Sequence, residues 1–260
     1  MGAMCPPSPE PPAGETPPTD APRLSIVLPI YNEELVLEAT LAELIPFLEG
    51  LGRSFEVVCV DDGSADASRR LLDEAAARDP RVRPFALPHN QGKGAAVREG
   101  MGRARGDLQV FMDADLSTPL DELPGLLGAL DAGYDVVLGN RRAPGSRIER
   151  RQPWLRQTLG KGFTFLTQQL LAPGVHDFTC GFKGFRRDAS RTIFSRSTLN
   201  GWAFDAELVV IAGVHDLKLA QVPVRWHHED DTKVRLLQAV LGSAWELGRI
   251  FTRRATGGYR

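Results

Sequence analysis

From Leu24 onward, short apolar runs rich in β-branched residues alternate with longer stretches in which apolar positions recur at helical spacing. Leu24 to Ile30 (LSIVLPI) predicts a buried strand, followed by a helix from Asn32 to about Gly52 with Asn32 as a candidate N-cap. Phe55 to Val60 (FEVVCV) predicts a second strand and a helix follows through about Arg78; Val82 to Leu87 is a third, weaker strand. A Gly-rich turn leads into a helix from Gly92 to Arg105, and Leu108 to Met112 is a central strand. A helix from Pro119 to Ala132 and a strand at Asp135 to Leu138 follow. This alternation predicts an α/β fold, a doubly wound and mostly parallel sheet covered by helices on both faces. Ligands bind such sheets at the carboxyl ends of the strands, where the polar motifs of this chain stand.

Beyond Gly139 the pattern changes. Between Arg141 and Lys161 seven basic residues, Arg141, Arg142, Arg147, Arg150, Arg151, Arg156 and Lys161, meet one acid, Glu149. They lead into a helical pattern of Leu155, Leu159, Phe163, Leu166 and Leu170, and a second one runs from about Thr232 to Arg254. The second places Leu237, Val240, Leu241, Ala244, Trp245 and Phe251 on one side, flanked by Lys233, Arg235, Arg249, Arg253 and Arg254. Apolar stripes of this kind serve either as core or as an interfacial surface against anionic lipid; the basic flanks favour the interface.

Residues 1–22 carry eight prolines and almost nothing apolar, which predicts a disordered tail. The expected organisation is therefore a tail over 1–22, one catalytic-type domain over 23–231 and an amphipathic membrane-surface helix over 232–260. At 260 residues and 42% apolar composition the chain can bury one large core. The 31 basic and 33 acidic residues nearly cancel, so bulk charge points to no nucleic-acid partner. Cys5, Cys59 and Cys180 lack the spacing of a zinc site or disulfide framework, consistent with a reducing cytosol. No run approaches the roughly 18 to 20 apolar residues of a membrane span, and the start lacks a signal-peptide layout. A cytoplasmic protein, peripheral to the cytoplasmic face of a membrane, is expected.

The sharpest local signal is Asp113-Ala114-Asp115 after the central strand. In an extended segment residues two apart project to one side, so both carboxylates can converge on one divalent cation, Mg²⁺ or Mn²⁺, and through it on a diphosphate. Strand-ending turn and helix cap is the competing reading. Pro29-Ile30-Tyr31-Asn32-Glu33 ends the first strand, where an aromatic ring can flank a base and a carboxylate can accept from ribose. Asp61-Asp62-Gly63-Ser64 ends the second, where a carboxylate can take a pyrimidine N–H; for each of these two, a strand-ending turn with an N-cap is the competing reading. Asn90-Gln91-Gly92-Lys93-Gly94 offers either a phosphate cradle of free helix-start amides or a glycine turn with a solvated lysine; it is not a P-loop.

This ordered set, with Gly139-Asn140-Arg141, resembles the family 2 glycosyltransferases of the GT-A fold. Three further segments are similar to the polyprenyl- and dolichyl-phosphate hexosyltransferases, especially the glucosyl branch: Asp177 to Lys183 (DFTCGFK), Gly201 to Leu208 (GWAFDAEL) and Val222 to Trp226 (VPVRW). The resemblance covers about Leu24 to Arg254. It implies that Pro29, Tyr31, Glu33, Asp61 and Asp62 hold the nucleoside, with Gln91, Lys93 and Ala114 also lining the nucleotide sugar. It implies that Asp113 and Asp115 serve metal and diphosphate, and that Arg141, Arg156 and Lys233 bind phosphates of acceptor and donor. Lys183 and Asp205 would line the sugar and acceptor side. Mannosyl relatives often carry Gln where this chain has Ser117, which leaves a third metal contact open and favours UDP-glucose over GDP-mannose.

The expected reaction is an inverting transfer of a hexose from a nucleotide diphosphate to a polyprenyl or dolichyl phosphate. A phosphomonoester is already anionic, so the protein must supply position and charge rather than a strong base. Asp205 is the candidate base, with a helix cap as the alternative. His227 and His228 beside Glu229, Asp230 and Asp231 read as a solvated loop rather than a metal site, and Trp202 and Trp226 as packing residues. The competing functions are a family 2 transferase with a soluble acceptor and a catalytically silent nucleotide-sugar binding protein.

Overall fold

The computed structural model describes residues 21–148, 167, 174–201, 203–227 and 236–260. The first half follows the expected alternation: β1 (Leu24–Ile30), α1 (Leu37–Gly50), β2 (Phe55–Asp61), α2 (Ser68–Arg78), β3 (Val82–Ala86), α3 (Lys93–Arg103), β4 (Leu108–Met112), α4 (Leu123–Asp131) and β5 (Val136–Asn140). The second half adds β6 (Arg147–Ile148), β7 (Phe182–Arg186), α5 (Arg187–Phe194), α6 (Phe204–Val214), β8 (Leu219–Pro223), β9 (Arg225–Trp226) and α7 (Leu236–Ala255).

Seven strands form one sheet in the order β3-β2-β1-β4-β7-β5-β8, and β6 pairs with β9 separately. All neighbours in the large sheet are parallel except β7, which runs antiparallel between β4 and β5. The strand order reverses direction between β1 and β4, so a crevice opens there at the carboxyl ends. Because β7 runs backwards, its beginning lies at that same edge: Met112 registers with Phe182, which brings Gly181 beside Asp113.

Both faces of the sheet are buried, which explains the near-continuous apolar runs of β1 and β2. Ile26, Leu28, Val57, Cys59, Val110 and Met112 pack against α1, α2 and α4. Val27, Val58, Val60, Phe111 and Phe185 pack against α3, α5 and α6. Leu247 and Ile250 of α7, and Tyr259 beyond it, join this second cluster.

Three local expectations change, and the exposure of α7 is resolved. Asn32 does not cap α1, which starts at Leu37; Asn32 takes a left-handed φ of 54° and its side chain accepts the Ala65 N–H across the loop at 2.8 Å. The helix expected from Pro119 begins as a 3-10 turn, Leu120–Glu122, before α4. Strand β7 adds to the expected elements, since Phe182-Lys183-Gly184-Phe185-Arg186 has neither clean alternation nor an apolar run. On α7 the side facing the protein is set by Leu247 and Ile250, whereas Trp245 and Phe251 are exposed at 72% and 53%. Arg150, Arg151, Arg156, Lys161, Trp202, His228 and Lys233, with the apolar stripe from Leu155 to Leu170, lie outside the described residues.

Candidate active site

The carboxyl edge of β1, β2 and β4 gathers the acidic strand ends. Two loops there are stapled to each other. The Asn32 and Glu33 amides donate to Ser64 Oγ and Ser68 Oγ at 2.9 and 2.8 Å. The Glu34 amide donates to Asp66, and Glu34 in turn accepts the Ala67 N–H at 2.9 Å. These cross-bonds satisfy amides of the loops that precede α1 and α2. Tyr31 stays 40% exposed on the rim.

Asp61 and Asp62 are both buried, and each holds a turn together. Asp61 accepts the Ser64 N–H at 3.0 Å; Asp62 accepts the Gln91 and Gly92 N–H groups at 2.7 and 2.9 Å. Burial pushes the Asp62 carboxyl above its usual range against the pull of these two amides.

That geometry overturns the phosphate-cradle reading of Asn90 to Gly94. The Gln91 and Gly92 amides go to Asp62, the Gly94 amide to Asn200 O at 3.0 Å, and the Ala95 amide back to Gly92 O. The glycines are needed for a different close approach. A Cβ on Gly92, whose φ is +99°, would lie 2.6 Å from Asn200 O, and one on Gly94 would lie 2.6 Å from Leu199 O. The loop's contribution to the site is the Lys93 side chain.

Lys93 is exposed but not free. Its ammonium is ion-paired and hydrogen-bonded to Asp113. Burial works against the charged ammonium, yet the surrounding carboxylates of Asp113, Asp205 and Asp115 outweigh it and raise the Lys93 pKa. Asp113 to Leu116 form a turn rather than an extension of β4, with Leu116 at φ 50° and its N–H on Asp113 O. The two carboxylates are therefore carried on a turn, not on alternating strand positions, and lie near enough for the charge of Asp113 to act on Asp115. Thr40 of α1 pins the Ala114 carbonyl at 2.5 Å, Asp115 accepts the Ser117 N–H at 2.8 Å, and His227 donates its amide to Ser117 O. Burial, with the neighbouring charge of Asp113, raises the Asp115 pKa. Gly181 makes room for this arrangement, because a Cβ there would fall 2.1 Å from Asp113 Oδ2.

Behind Lys93 sits a second pair. Lys183 is fully buried and donates to Asp205 Oδ1 and Cys180 O, both at 2.5 Å, with its ammonium 5.3 Å from the Phe111 ring centre. Burial raises the Asp205 pKa, and the positive charges of Lys183 and Lys93 pull it back. Asp205 lies in the first turn of α6 but its side chain makes this ion pair instead of capping the helix. Cys180, whose thiol burial pushes up to about 11, stays protonated.

Arg141, at the end of β5, lies close enough to feel the charge of Asp113. Its guanidinium grips Asp177 with two bonds of 2.7 and 2.8 Å, reaches Thr179 Oγ1 at 2.9 Å and stacks 5.2 Å from the Trp226 ring centre. Burial alone would raise the Asp177 carboxyl; the charge and hydrogen bonds of Arg141 hold it below the usual range. Asp177, Thr179, Gly181, Asn200 and Glu207 are structural partners that motif reading did not single out. Asp177, Thr179, Gly181 and Glu207 fall in segments that carried the resemblance, but their pairings depend on strand register and packing.

Asp113 and Asp115 present hard oxygen donors beside each other, and the mutual repulsion at Asp115 is what a bound divalent cation would relieve. No group of three or more His, Cys, Asp or Glu side chains suited to a metal occurs among the described residues, so these two would need further oxygen ligands from water or a diphosphate. That donor set fits Mg²⁺ or Mn²⁺.

Comparison with known proteins agrees with the fold. The glycosyl transferase family 2 model matches residues 25–194. A dolichyl-phosphate beta-glucosyltransferase of Trichomonas vaginalis is 34% identical over 82% of this chain and 66% of its own length. The human dolichyl-phosphate beta-glucosyltransferase is 31% identical over 92% of this chain and 78% of its own. Glycosyltransferase AglD of Haloferax volcanii is 32% identical over 87% of this chain, which spans only 36% of that protein. Among solved structures, Mycobacterium tuberculosis glucosyl-3-phosphoglycerate synthase in complex with Mn²⁺, UDP and glucosyl-3-phosphoglycerate superposes with a TM-score of 0.66. It is 21% identical, over 90% of this chain and 80% of the other. The likeness is one of fold, the GT-A arrangement expected from the motifs. With acidic strand ends gathered at the switch point of a GT-A sheet and the family model matched across them, this chain belongs to glycosyl transferase family 2.

Proposed function

We propose that the chain transfers a hexose, glucose in the first instance, from its nucleoside diphosphate to a polyprenyl or dolichyl phosphate at the cytoplasmic face of a membrane. The observation that carries this reading is the Asp113/Asp115 turn at the end of β4, ion-paired to Lys93 and within electrostatic reach of Arg141. The names of the relatives support the acceptor class and the sugar.

The chemistry is one in-line displacement at the anomeric carbon. A phosphate oxygen of the acceptor forms the new bond as the bond to the donor diphosphate breaks, and the electron pair leaves with the nucleoside diphosphate. Asp113 and Asp115 would hold a divalent cation, which would supply charge neutralisation for the departing diphosphate. Lys93 adds a positive charge to the same region, and Tyr31, Glu33 and Asp62 border the space for the nucleoside. Asp205, held by Lys183, stands behind Lys93 and shapes the sugar side; the acceptor needs no base from it, being anionic already. Arg141 is rigidly aimed by Asp177 and Trp226, with Arg156 and Lys233 as further phosphate ligands in the proposal.

No helix among the described residues is long and apolar enough to cross a membrane. Trp245 and Phe251, exposed beside the exposed Arg249 and Arg254, suit an interfacial contact with anionic lipid. The test is incubation with labelled UDP-glucose or GDP-mannose, Mg²⁺ or Mn²⁺, and a short polyprenyl phosphate, against a soluble phosphate acceptor. A lipid-extractable glucosyl product, abolished by Asp115→Ala without loss of fold, is the expected result. Label appearing only on the soluble acceptor would overturn the lipid assignment.

A further inference from the structure

The start of α3, which carries Lys93, abuts a loop, residues 198–200, that belongs to neither the sheet nor α3. Asn200 O accepts the Gly94 N–H at 3.0 Å, while Arg98, one turn along α3, donates to Leu199 O and to Asn200 Oδ1 at 3.2 and 2.6 Å. Gly92 and Gly94 lack side chains where this loop crosses them. The first turn of α3, and with it Lys93, is thus registered against residues 198–200.

This loop is in turn held by Glu207. This carboxylate is completely buried and accepts four hydrogen bonds: Thr198 N–H at 2.8 Å, Leu199 N–H at 2.9 Å, Thr198 Oγ1 at 3.0 Å and Tyr259 OH at 2.9 Å. The fourth donor comes from beyond α7. Tyr259 is 1% exposed, carries Arg253 at 4.9 Å from its ring centre, and offers its carbonyl to His215 Nε2 at 2.7 Å. Arg253 also donates to Thr198 Oγ1 at 2.7 Å, and Glu246 of α7 accepts the Ala203 N–H at 2.9 Å. A buried carboxylate whose charge is met by neutral donors is costly if one of them is lost.

We propose that Glu207 and Tyr259 are positioning residues for Lys93. The segment after α7 seats the Tyr259 hydroxyl on Glu207, Glu207 fixes residues 198–200, and these set where α3 begins and where its lysine points. Two carboxylates two residues apart at the start of α6 then divide the work: Asp205 faces Lys183 and Lys93, and Glu207 holds the wall that aims Lys93. The inference rests on the donor-site reading above for its ligand, and on hydrogen bonds alone for its mechanics.

The experiment compares UDP binding with Mn²⁺ present, by calorimetry, for the full chain and for Tyr259→Phe, each with and without Lys93→Ala, alongside amide hydrogen exchange of the ligand-free proteins. Loss of one donor to a buried charge predicts about tenfold weaker UDP binding in Tyr259→Phe. With Lys93→Ala already present the same change is expected to weaken binding less than about twofold, because the residue being positioned is gone. Exchange should quicken over 92–97 and 198–201 and stay unchanged in β1 and β2. Equal losses in both backgrounds, no loss in either, or exchange that quickens throughout would overturn the proposal. If the unaltered chain binds no UDP, the donor-site reading fails, and the exchange comparison still decides whether Tyr259 holds the loop. Should Tyr259→Phe not fold, Thr198→Val, which removes the hydroxyl shared by Glu207 and Arg253, takes its place; failure of both to fold would make the network purely structural and sink the idea.

Discussion

Replacing Lys183 by Met tests whether the paired charges behind the site act as one unit. Lys183 is fully buried, with its ammonium 2.5 Å from Asp205 Oδ1 and from Cys180 O. At that distance and an effective dielectric constant of about 20 the gross attraction is about 7 kcal/mol, most of which offsets the cost of taking both ions out of water. Lys183→Met keeps the volume and strands the Asp205 carboxylate. Lys93 still attracts it, but the short bond is gone. The expected loss is about 3–5 kcal/mol of folding stability. Removing both charges, in Lys183→Met with Asp205→Leu, should restore stability to within about 1 kcal/mol of the original, since an apolar pair of similar volume replaces the ion pair. Urea unfolding followed by circular dichroism, extrapolated with equal slopes, gives the coupling energy directly. The restored double variant should remain inactive in sugar transfer, which separates folding from the site. The reasoning is refuted if Lys183→Met costs less than about 1 kcal/mol, or if the double variant loses the sum of the two single losses.

Three further outcomes follow from particular contacts. Gly181→Ala drives a methyl group into Asp113, whose Oδ2 would be 2.1 Å away, and should lower transfer on the order of 100-fold; Gly102→Ala on α3, where nothing lies within 4 Å, should leave activity unchanged and raise stability by up to about 1 kcal/mol. Asp177 has its carboxyl held low by Arg141 against burial, so its stabilising contribution is present above the ordinary Asp pKa of about 3.9 and is lost as pH falls through and below that value. Asp177→Asn should therefore lower stability at pH 7 and flatten the acid limb of a stability profile; an unchanged limb would count against it. Trp245→Ser with Phe251→Ser should reduce sedimentation with anionic liposomes while leaving the melting temperature within a few degrees, as both side chains are exposed; binding that persists would remove α7 from the membrane contact.

The chain's own pattern determined a good deal about this protein. Buried runs such as Phe55-Glu56-Val57-Val58-Cys59-Val60 state their strand because both faces must be covered, and the acids that follow β1, β2 and β4 mark the sheet's open edge because polar groups there reach water or ligand. Periodicity is local, so it survives in the sequence. What it could not carry is pairing across the fold. Strand β7 inserts backwards between β4 and β5, and only that register brings Gly181 to Asp113 and Lys183 toward Asp205. Similarly, the glycines of Asn90 to Gly94 read as room for a phosphate, and the tertiary structure shows that the room is taken by Leu199 and Asn200. Glycine signals that some backbone must come close; only packing decides which one. The same division holds for Arg141, whose charge any reader can see and whose aim depends on Asp177 and Trp226, residues 36 and 85 positions away in the chain.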